Sequence, residues 1–333
     1  MTPLLSEREL IARIRAEASG QVSDLLRGIG DDCAVFRQAG GEVVSLVTTD
    51  TLVEGVHFDR RWHPPHLLGR KAVAVNMSDI AAMGGTPRFV LLSLAAPAPM
   101  DSAWLDALLA GFLESVREYG AILIGGDTVK SGHEVVLSVT VLGEAPVNQV
   151  CYRSGAKPGD AVLVSGSLGQ AAAGLGLCQQ GRQQENPAWQ PLIAAHRDPQ
   201  AQVALGRLLA ASGLVHAMMD LSDGLATDLA HLCAESKVGA EIDRAALPLS
   251  SELPEAAVTC GVDPLHWALS GGEDYQLVLT CAEADAATLG QLAQERLGLT
   301  LTQVGRIVAG QGVVLLDGAA CRDISYQGYD HFR

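Results

Sequence analysis

A mixed α/β (α+β) protein of two domains is what the sequence predicts, on three observations. Hydrophobic residues make up 48% of the 333 residues and aromatics only 4%, so the core is expected to be built from Ala, Val, Leu and Ile, which suits helices packed on sheets. Short apolar runs of strand character alternate with longer segments whose apolar residues recur on a helical period. A Lys-Pro-Gly-Asp turn, Lys157 to Asp160, precedes a fresh strand and a new helix. The boundary is therefore expected near residue 150, with one α/β domain over 1–150 and a second over 151–333, each long enough to bury a core.

The elements follow in order. "MTPLLSERELIARIRAE" carries charges at helical spacing, and Ser6 with Glu9 forms a capping box, so it reads as a helix and not as a signal peptide. "EVVSLVTTD" (42–50) reads as a strand, and "HLLGRKAVAVNMSDIAAMGG" (66–85) as a helix stopped by Gly84 and Gly85. "RFVLLSLAAP" is the next strand. "DSAWLDALLAGFLESVREYG" has a helical period with Asp101 or Ser102 as N-cap and Gly120 closing it. "AILIGGD" and "EVVLSVTVLGEA" return as strands. The second half alternates in the same way, with "HAMMD" as strand, "DGLATDLAHLCAESKVG" as helix, "YQLVLTC" as strand and "AEADAATLGQLAQERLG" as helix.

A formal charge of -15 argues against nucleic acid, whose backbone calls for a surplus of Lys and Arg. No apolar run is long enough to span a bilayer. Seven scattered cysteines, with no C-x-x-C pair, suggest reduced thiols and a cytoplasmic protein. G-x-S-x-G and H-E-x-x-H are absent as well, which removes serine hydrolase and zincin readings.

"IGGDTVKSG" (124–132) resembles a P-loop, but Val129 stands where a glycine must precede the lysine. It belongs instead to a recurring pattern in which apolar segments end in Gly, Ser or Thr followed by an acid. The pattern covers Asp31 and Asp32, Asp50, Asp79, Asp127, Asp220 and Asp223, and Glu273 with Asp274. Carboxylates at strand ends beside hydroxyls suit a hard cation such as Mg²⁺, which takes oxygen ligands and shares them with phosphates. Taken singly, each pair reads equally as a turn or a helix N-cap. Asp50 and Asp79 resist that reading, because a strand interior and an apolar helix disfavour an unpaired aspartate. "HPPH" (His63, His66) reads as a loop, since prolines bar a helix interior. Gly166 and Gly169 form only part of a dinucleotide fingerprint and suit close packing better.

At these residues the chain resembles the thiamine-monophosphate kinase family. That family shares a superfamily with aminoimidazole ribonucleotide synthetase, selenophosphate synthetase and a hydrogenase-maturation enzyme. "GIGDDCAV", "TTDTLVEGVHF", "KAVAVNMSDIAAMGG", "IGGDT", "RSGAKPGD", "DLSDGL", "LSGGEDYQL" and "GYDHF" stand in the family's order, over nearly the whole chain. The resemblance implies an aminoimidazole ribonucleotide synthetase-like fold whose N-terminal domain dimerises by pairing sheets into a shared β-barrel. It implies ATP-dependent phosphorylation of thiamine monophosphate to thiamine diphosphate, with Mg²⁺. Carried over by residue, Asp32, Thr48, Thr49, Asp50, Asp79, Asp127, Asp220 and Asp223 look like the metal set, with Asp50, Asp79, Asp127 and Asp220 at the centre of catalysis. Gly126, Asp127, Arg153 and Ser222 look like ATP contacts. His57, Glu273 and Tyr326 look like substrate contacts, although the family often carries tryptophan where this chain has Tyr326.

The residues are consistent with that chemistry. A phosphate nucleophile with a second pKa of ~6 is already ionised at neutral pH and needs no side-chain base. The nearest enzymatic rival is aminoimidazole ribonucleotide synthetase, since this chain ends "HFR" without a cysteine tail and its first cysteine, Cys33, sits inside the Asp loop. A non-catalytic nucleotide-binding regulatory subunit is the rival of another class, and so many mutually repelling carboxylates argue against it.

Overall fold

The computed structural model describes residues 6–18 and 22–332. The N-terminal part holds α1 (Glu7–Glu17), β1 (Leu25–Arg27), β2 (Ala34–Arg37), β3 (Val43–Val53), α2 (Pro65–Ala82), β4 (Thr86–Ala96), α3 (Ser102–Glu118), β5 (Ile122–Lys130) and β6 (Val136–Pro146). The C-terminal part begins with β7 (Asp160–Ser165), α4 (Gln170–Gln179), α5 (Gln190–Arg197), α6 (Val203–Ser212), β8 (Val215–Asp220), α7 (Leu225–Ser236) and β9 (Gly239–Asp243). It continues with α8 (Leu253–Cys260), α9 (Pro264–Ser270), β10 (Leu277–Ala282), α10 (Ala286–Leu297), β11 (Leu301–Val308), β12 (Gly312–Asp317) and β13 (Ala320–Asp323).

The capping box forms as read: Ser6 Oγ accepts from the Glu9 N–H, and Glu9 Oε2 accepts from the Ser6 N–H at 2.9 Å. Residues 1–5 of that reading lie outside the described residues. Two corrections concern loops. Pro64 caps α2 and Pro65 opens it, one residue before the His66 at which the helix was read to start, so only His63 and Pro64 of "HPPH" lie outside it; the first helical residue needs no N–H, and proline is tolerated there. "IGGDTVK" is wholly strand, seven of the nine residues of β5, so the strand read through "AILIGGD" runs on to Lys130 where a loop was expected.

In the N-terminal sheet the order is β1-β2-β3-β6-β4-β5, antiparallel except for β4 beside β5, which α3 connects as a crossover. Strand alternation decides which way β3 faces. Val44, Leu46, Thr48 and Leu52 are buried toward α2, while Thr49 and Thr51 turn away and bond to the hydroxyls of Thr140 and Ser138 on β6. At the sheet edge β5 is exposed along most of its length, with Ile122 and Ile124 more than half in solvent and Val129 close to half. Gly126 is sterically required there, because a Cβ would lie 1.8 Å from the Leu92 carbonyl oxygen of β4.

The second sheet, β13-β12-β9-β11-β7-β10-β8, is covered on both faces. Val162 and Val164 of β7 pack with α7 on one side, while Ala161 and Leu163 pack with α6 and α10 on the other. Every residue of β7 is buried, as expected for a central strand between helical layers. Helix α2 joins the two parts: it lies on the first sheet and also touches α6 and β8 of the second. It is buried almost throughout, so its polar residues Lys71, Asn76, Ser78 and Asp79 are placed between the two sheets and need partners. Among the described residues no helix is long and apolar enough to cross a membrane, and all seven cysteines are free thiols.

Candidate active site

The partners of α2 form the site. Asn76 Oδ1 accepts from the Asp50 N–H at 2.9 Å, Thr48 Oγ1 donates to Asp79, and Ser78 Oγ donates to Asp220 Oδ2 at 2.6 Å. These bonds bring β3, α2 and the end of β8 together. The loop before β2 adds Asp32, and carboxylate oxygens of Asp32, Asp79 and Asp220 lie within 4.8 Å of one another. Desolvation is the first cause that pushes these acids up, and their mutual repulsion adds to it. Asp32, Asp50 and Asp220 rise to about 6, Asp223 to about 7, and Asp79 well above the usual carboxylate range.

One cation is already in place. Arg153 donates to Asp32 Oδ1 through Nη2 at 2.5 Å and Nε at 3.1 Å, and its backbone N–H donates to Asp31 Oδ1 at 3.0 Å. Asp31 is turned to Arg27 at 2.7 Å, so it steadies the loop and does not join the cluster. The other oxygen of Asp32, Oδ2, is buried without a partner. A crowded all-oxygen set with an orphaned buried acceptor suits a hard divalent cation, which would relieve the repulsion that now raises these acids.

Beside the cluster lies a cavity of about 500 Å³. Asp50, Asp79, Asp220, Ser222 and Asp223 line one side, and Leu175, Gly176, Val262 and Trp267 line another, with His57 and Glu273 also on the wall. Burial, with His331 adjacent at 5.0 Å between ring centroids, holds the His57 imidazole below its ordinary value. Glu273 behaves opposite to its acidic neighbours. Burial raises it, but the Lys71 ammonium 2.7 Å away and a hydrogen bond from His196 outweigh burial and hold it far below the usual range.

The loop that carries Glu273 is packed backbone against backbone. A Cβ on Gly272 would meet the Ser222 carbonyl at 2.5 Å, which is why the "SGGED" and "DLSDG" loops approach through glycine. Asp274, the next residue, accepts from the N–H groups of Gly169 and Ala171 at 2.6 and 3.0 Å. That carboxylate occupies the N-terminus of α4, so the Gly166–Gly169 turn has a protein anion where a dinucleotide loop would hold phosphate.

Of the residues anticipated from sequence, Asp32, Asp50, Asp79, Asp220 and Asp223 are brought together, with Thr48 and Arg153 bonded to them and Ser222, His57 and Glu273 on the cavity wall. Thr49 faces the opposite side of β3. Asp127 and Gly126 lie on exposed β5. The register Thr51–Ser138–Ser93–Asp127 sets Asp127 three strands from the cavity wall, roughly 14 Å at the usual strand spacing. Tyr326 lines an adjoining cavity that shares Glu7, Asp223 and Tyr329 with the first, and its ring lies under Arg8 at 4.1 Å. Sequence reasoning missed Lys71, His196 and Trp267. Lys71 did carry a signal, since Lys71, Val75 and Asp79 recur at four-residue intervals and share a helix face; His196 in "AAHRD" carried none.

Comparison with known proteins agrees with this arrangement. The N-terminal domain of AIR synthase related proteins matches residues 30–145, and their C-terminal domain matches residues 157–318. Thiamine-monophosphate kinase of Bacillus subtilis (strain 168) is 38% identical over 92% of this chain and 93% of its own. The Escherichia coli (strain K12) enzyme is 37% identical over 98% of each. The solved structure of AaThiL complexed with AMPPCP and TMP superposes with a TM-score of 0.85 at 35% identity, covering 98% of this chain and 97% of that one. Matched over both halves and nearly end to end, with the mixed α/β fold of AIR synthase related proteins, the chain belongs to the thiamine-monophosphate kinase family.

Proposed function

We propose that this phosphotransferase moves the terminal phosphoryl group of ATP directly onto the phosphate of thiamine monophosphate, giving thiamine diphosphate without a phosphoenzyme. The observation that carries the reading is one cavity with two chemistries: crowded carboxylates on one side and an apolar wall with a held carboxylate, Glu273, on the other. The acids suit metal-bound phosphates, and the apolar wall suits the rings of thiamine.

Asp32, Asp50, Asp79, Asp220 and Asp223, with Thr48, would hold Mg²⁺, which supplies charge neutralisation between the two phosphate groups. The rest falls to side chains of this chain. Arg153, pinned by Asp32, presents a guanidinium toward ATP, and Ser222 lies on the cavity wall beside Asp220 and Asp223. Gly126 and Asp127 suit the far reach of the nucleotide better than a single ion's ligand shell. His57 and Glu273 contact the acceptor substrate, and Tyr326 meets what extends past Asp223. No side chain needs to take a proton, because the acceptor phosphate is ionised at neutral pH. The protein thereby aligns two anions for in-line transfer.

The division into 1–150 and 151–333, a homodimer built through a shared barrel, and a cytoplasmic setting belong to the same proposal. The exposed edge and uncovered face of the first sheet support the dimer. Purified protein should form ADP and thiamine diphosphate only when ATP, Mg²⁺ and thiamine monophosphate are all present. Turnover of formylglycinamidine ribonucleotide in their place, or ADP formation indifferent to thiamine monophosphate, would overturn the reading.

A further inference from the structure

We propose that Lys71 and His196 are positioning residues that fix the Glu273 carboxylate in one orientation on the cavity wall, where it accepts a hydrogen bond from a neutral N–H or O–H group of the acceptor substrate. The inference rests on the reading of Glu273 as a substrate contact.

Each Glu273 oxygen has its own buried partner. Oε1 meets Lys71 Nζ at 2.7 Å and Oε2 meets His196 Nδ1 at 3.0 Å; both partner side chains are 0% exposed, against 19% for Glu273. Lys71 comes from α2 and His196 from α5, so two separate elements hold one carboxylate from behind. The backbone is fixed just as tightly. Glu273 N–H donates to the Ser222 carbonyl at 2.8 Å and Tyr275 N–H to the Leu221 carbonyl at 2.9 Å, while Asp274 is tied to the start of α4. Glu273 and Tyr275 are both in the left-handed region, at φ +71° and +48°. Residues other than glycine stay there only where surroundings over-determine them, and such strain gathers at functional sites.

A purely structural role does not account for this. A buried ion pair regains little more than its desolvation, and apolar side chains would pack α2 against α5 as well. What the pair adds is orientation at a cavity wall. It also sets what Glu273 recognises. Among the described residues no lysine pairs with Asp50, Asp79, Asp220 or Asp223, which suit an external cation, whereas the charge of Glu273 is already balanced by Lys71. Its remaining lone pairs therefore offer direction and not net charge. They select a hydrogen-bond donor such as an amino or hydroxyl group, and a substrate lacking that donor leaves a desolvated acceptor unmade.

Kinetics of the full-length enzyme with Mg²⁺-ATP and thiamine monophosphate test this. Lys71→Met and Glu273→Gln should each raise KM for thiamine monophosphate about ten- to a hundredfold and leave KM for ATP within about twofold. The double variant should be no worse than the poorer single, since both remove one contact. His196→Phe should raise the same KM, and His196→Asn, which keeps an N–H near the Nδ1 position, should recover most of it. Losses that multiply in the double variant, a folded His196→Phe or Lys71→Met with unchanged KM, or equal rises for both substrates with a lowered Tm would each overturn the positioning role. If Lys71→Met fails to fold, the two histidine variants decide. Unchanged KM in Glu273→Gln would instead remove Glu273 from the substrate site, and the positioning role with it; a rise in that variant alone would remove only the latter.

Discussion

Replacing Asp50 by asparagine should stabilise the metal-free protein while abolishing its activity. Desolvation first and the nearby Asp32 second raise the Asp50 carboxyl from an ordinary 3.8 to about 6. Between those values the folded chain keeps a proton that the unfolded chain has released, so stability falls as pH rises through that window. At about 1.4 kcal/mol for each tenfold change in proton affinity, the ionised group costs about 3 kcal/mol above pH 6. Asparagine removes that cost and keeps the shape, and the Asp50 N–H bond to Asn76 is untouched. Urea unfolding with EDTA at neutral pH should therefore show Asp50→Asn more stable than wild type by about 2–3 kcal/mol, with the difference shrinking toward about pH 4. Adding Mg²⁺ should stabilise wild type and do less for the variant, because an ion that binds only the folded state stabilises by mass action. A variant less stable than wild type in EDTA at neutral pH would refute the like-charge argument, and retained turnover would refute the assignment of Asp50 to the metal set.

Three further outcomes follow from the same geometry. Gly176→Leu, which puts bulk where a Cβ already lies 3.1 Å from the Trp267 ring, should raise KM for thiamine monophosphate about tenfold and spare that for ATP; equal effects on both would remove the apolar wall from the acceptor site. Tyr326→Ala should raise KM for thiamine monophosphate several-fold, with Tyr326→Trp retaining affinity. Equal losses toward both substrates with a lowered Tm would limit Tyr326 to packing under Arg8. Sedimentation should find a dimer at micromolar concentration, and Ile124→Glu on exposed β5 should shift it toward monomer; a monomeric wild type would exclude the barrel.

The strands and helices that were read were legible because period and punctuation agree locally: Ser6 with Glu9, Asp101 as N-cap, and a helix through "KAVAVNMSD" all appear where the pattern puts them, whereas short elements such as β1, β2, α8 and α9 carried too few residues to show a period. What a linear pattern does not carry is which face a residue takes and what crosses to meet it. Thr48 and Thr49 are neighbours of one type in one motif, yet strand alternation turns one to Asp79 and the other to Thr140. Pro65 was read with the loop because proline was weighed as a helix interior residue and not as a first residue.

The acids make the same point at the level of the site. Nothing in "GGED" distinguishes Glu273 from the aspartates of "IGGDT" or "DLSDG"; each is an acid in a short motif with Gly or Ser beside it. Distinction arises only on folding, when Lys71 from one helix and His196 from another reach Glu273 and, among the described residues, no lysine pairs with Asp50 or Asp79. One acid is thereby held ionised by the protein itself, and its neighbours are left with a repulsion that a bound cation can relieve. The proposed function thereby divides a single acidic cavity into a metal-binding side and a substrate-binding side by where one buried lysine points, and that direction is a property of the packing between the two sheets.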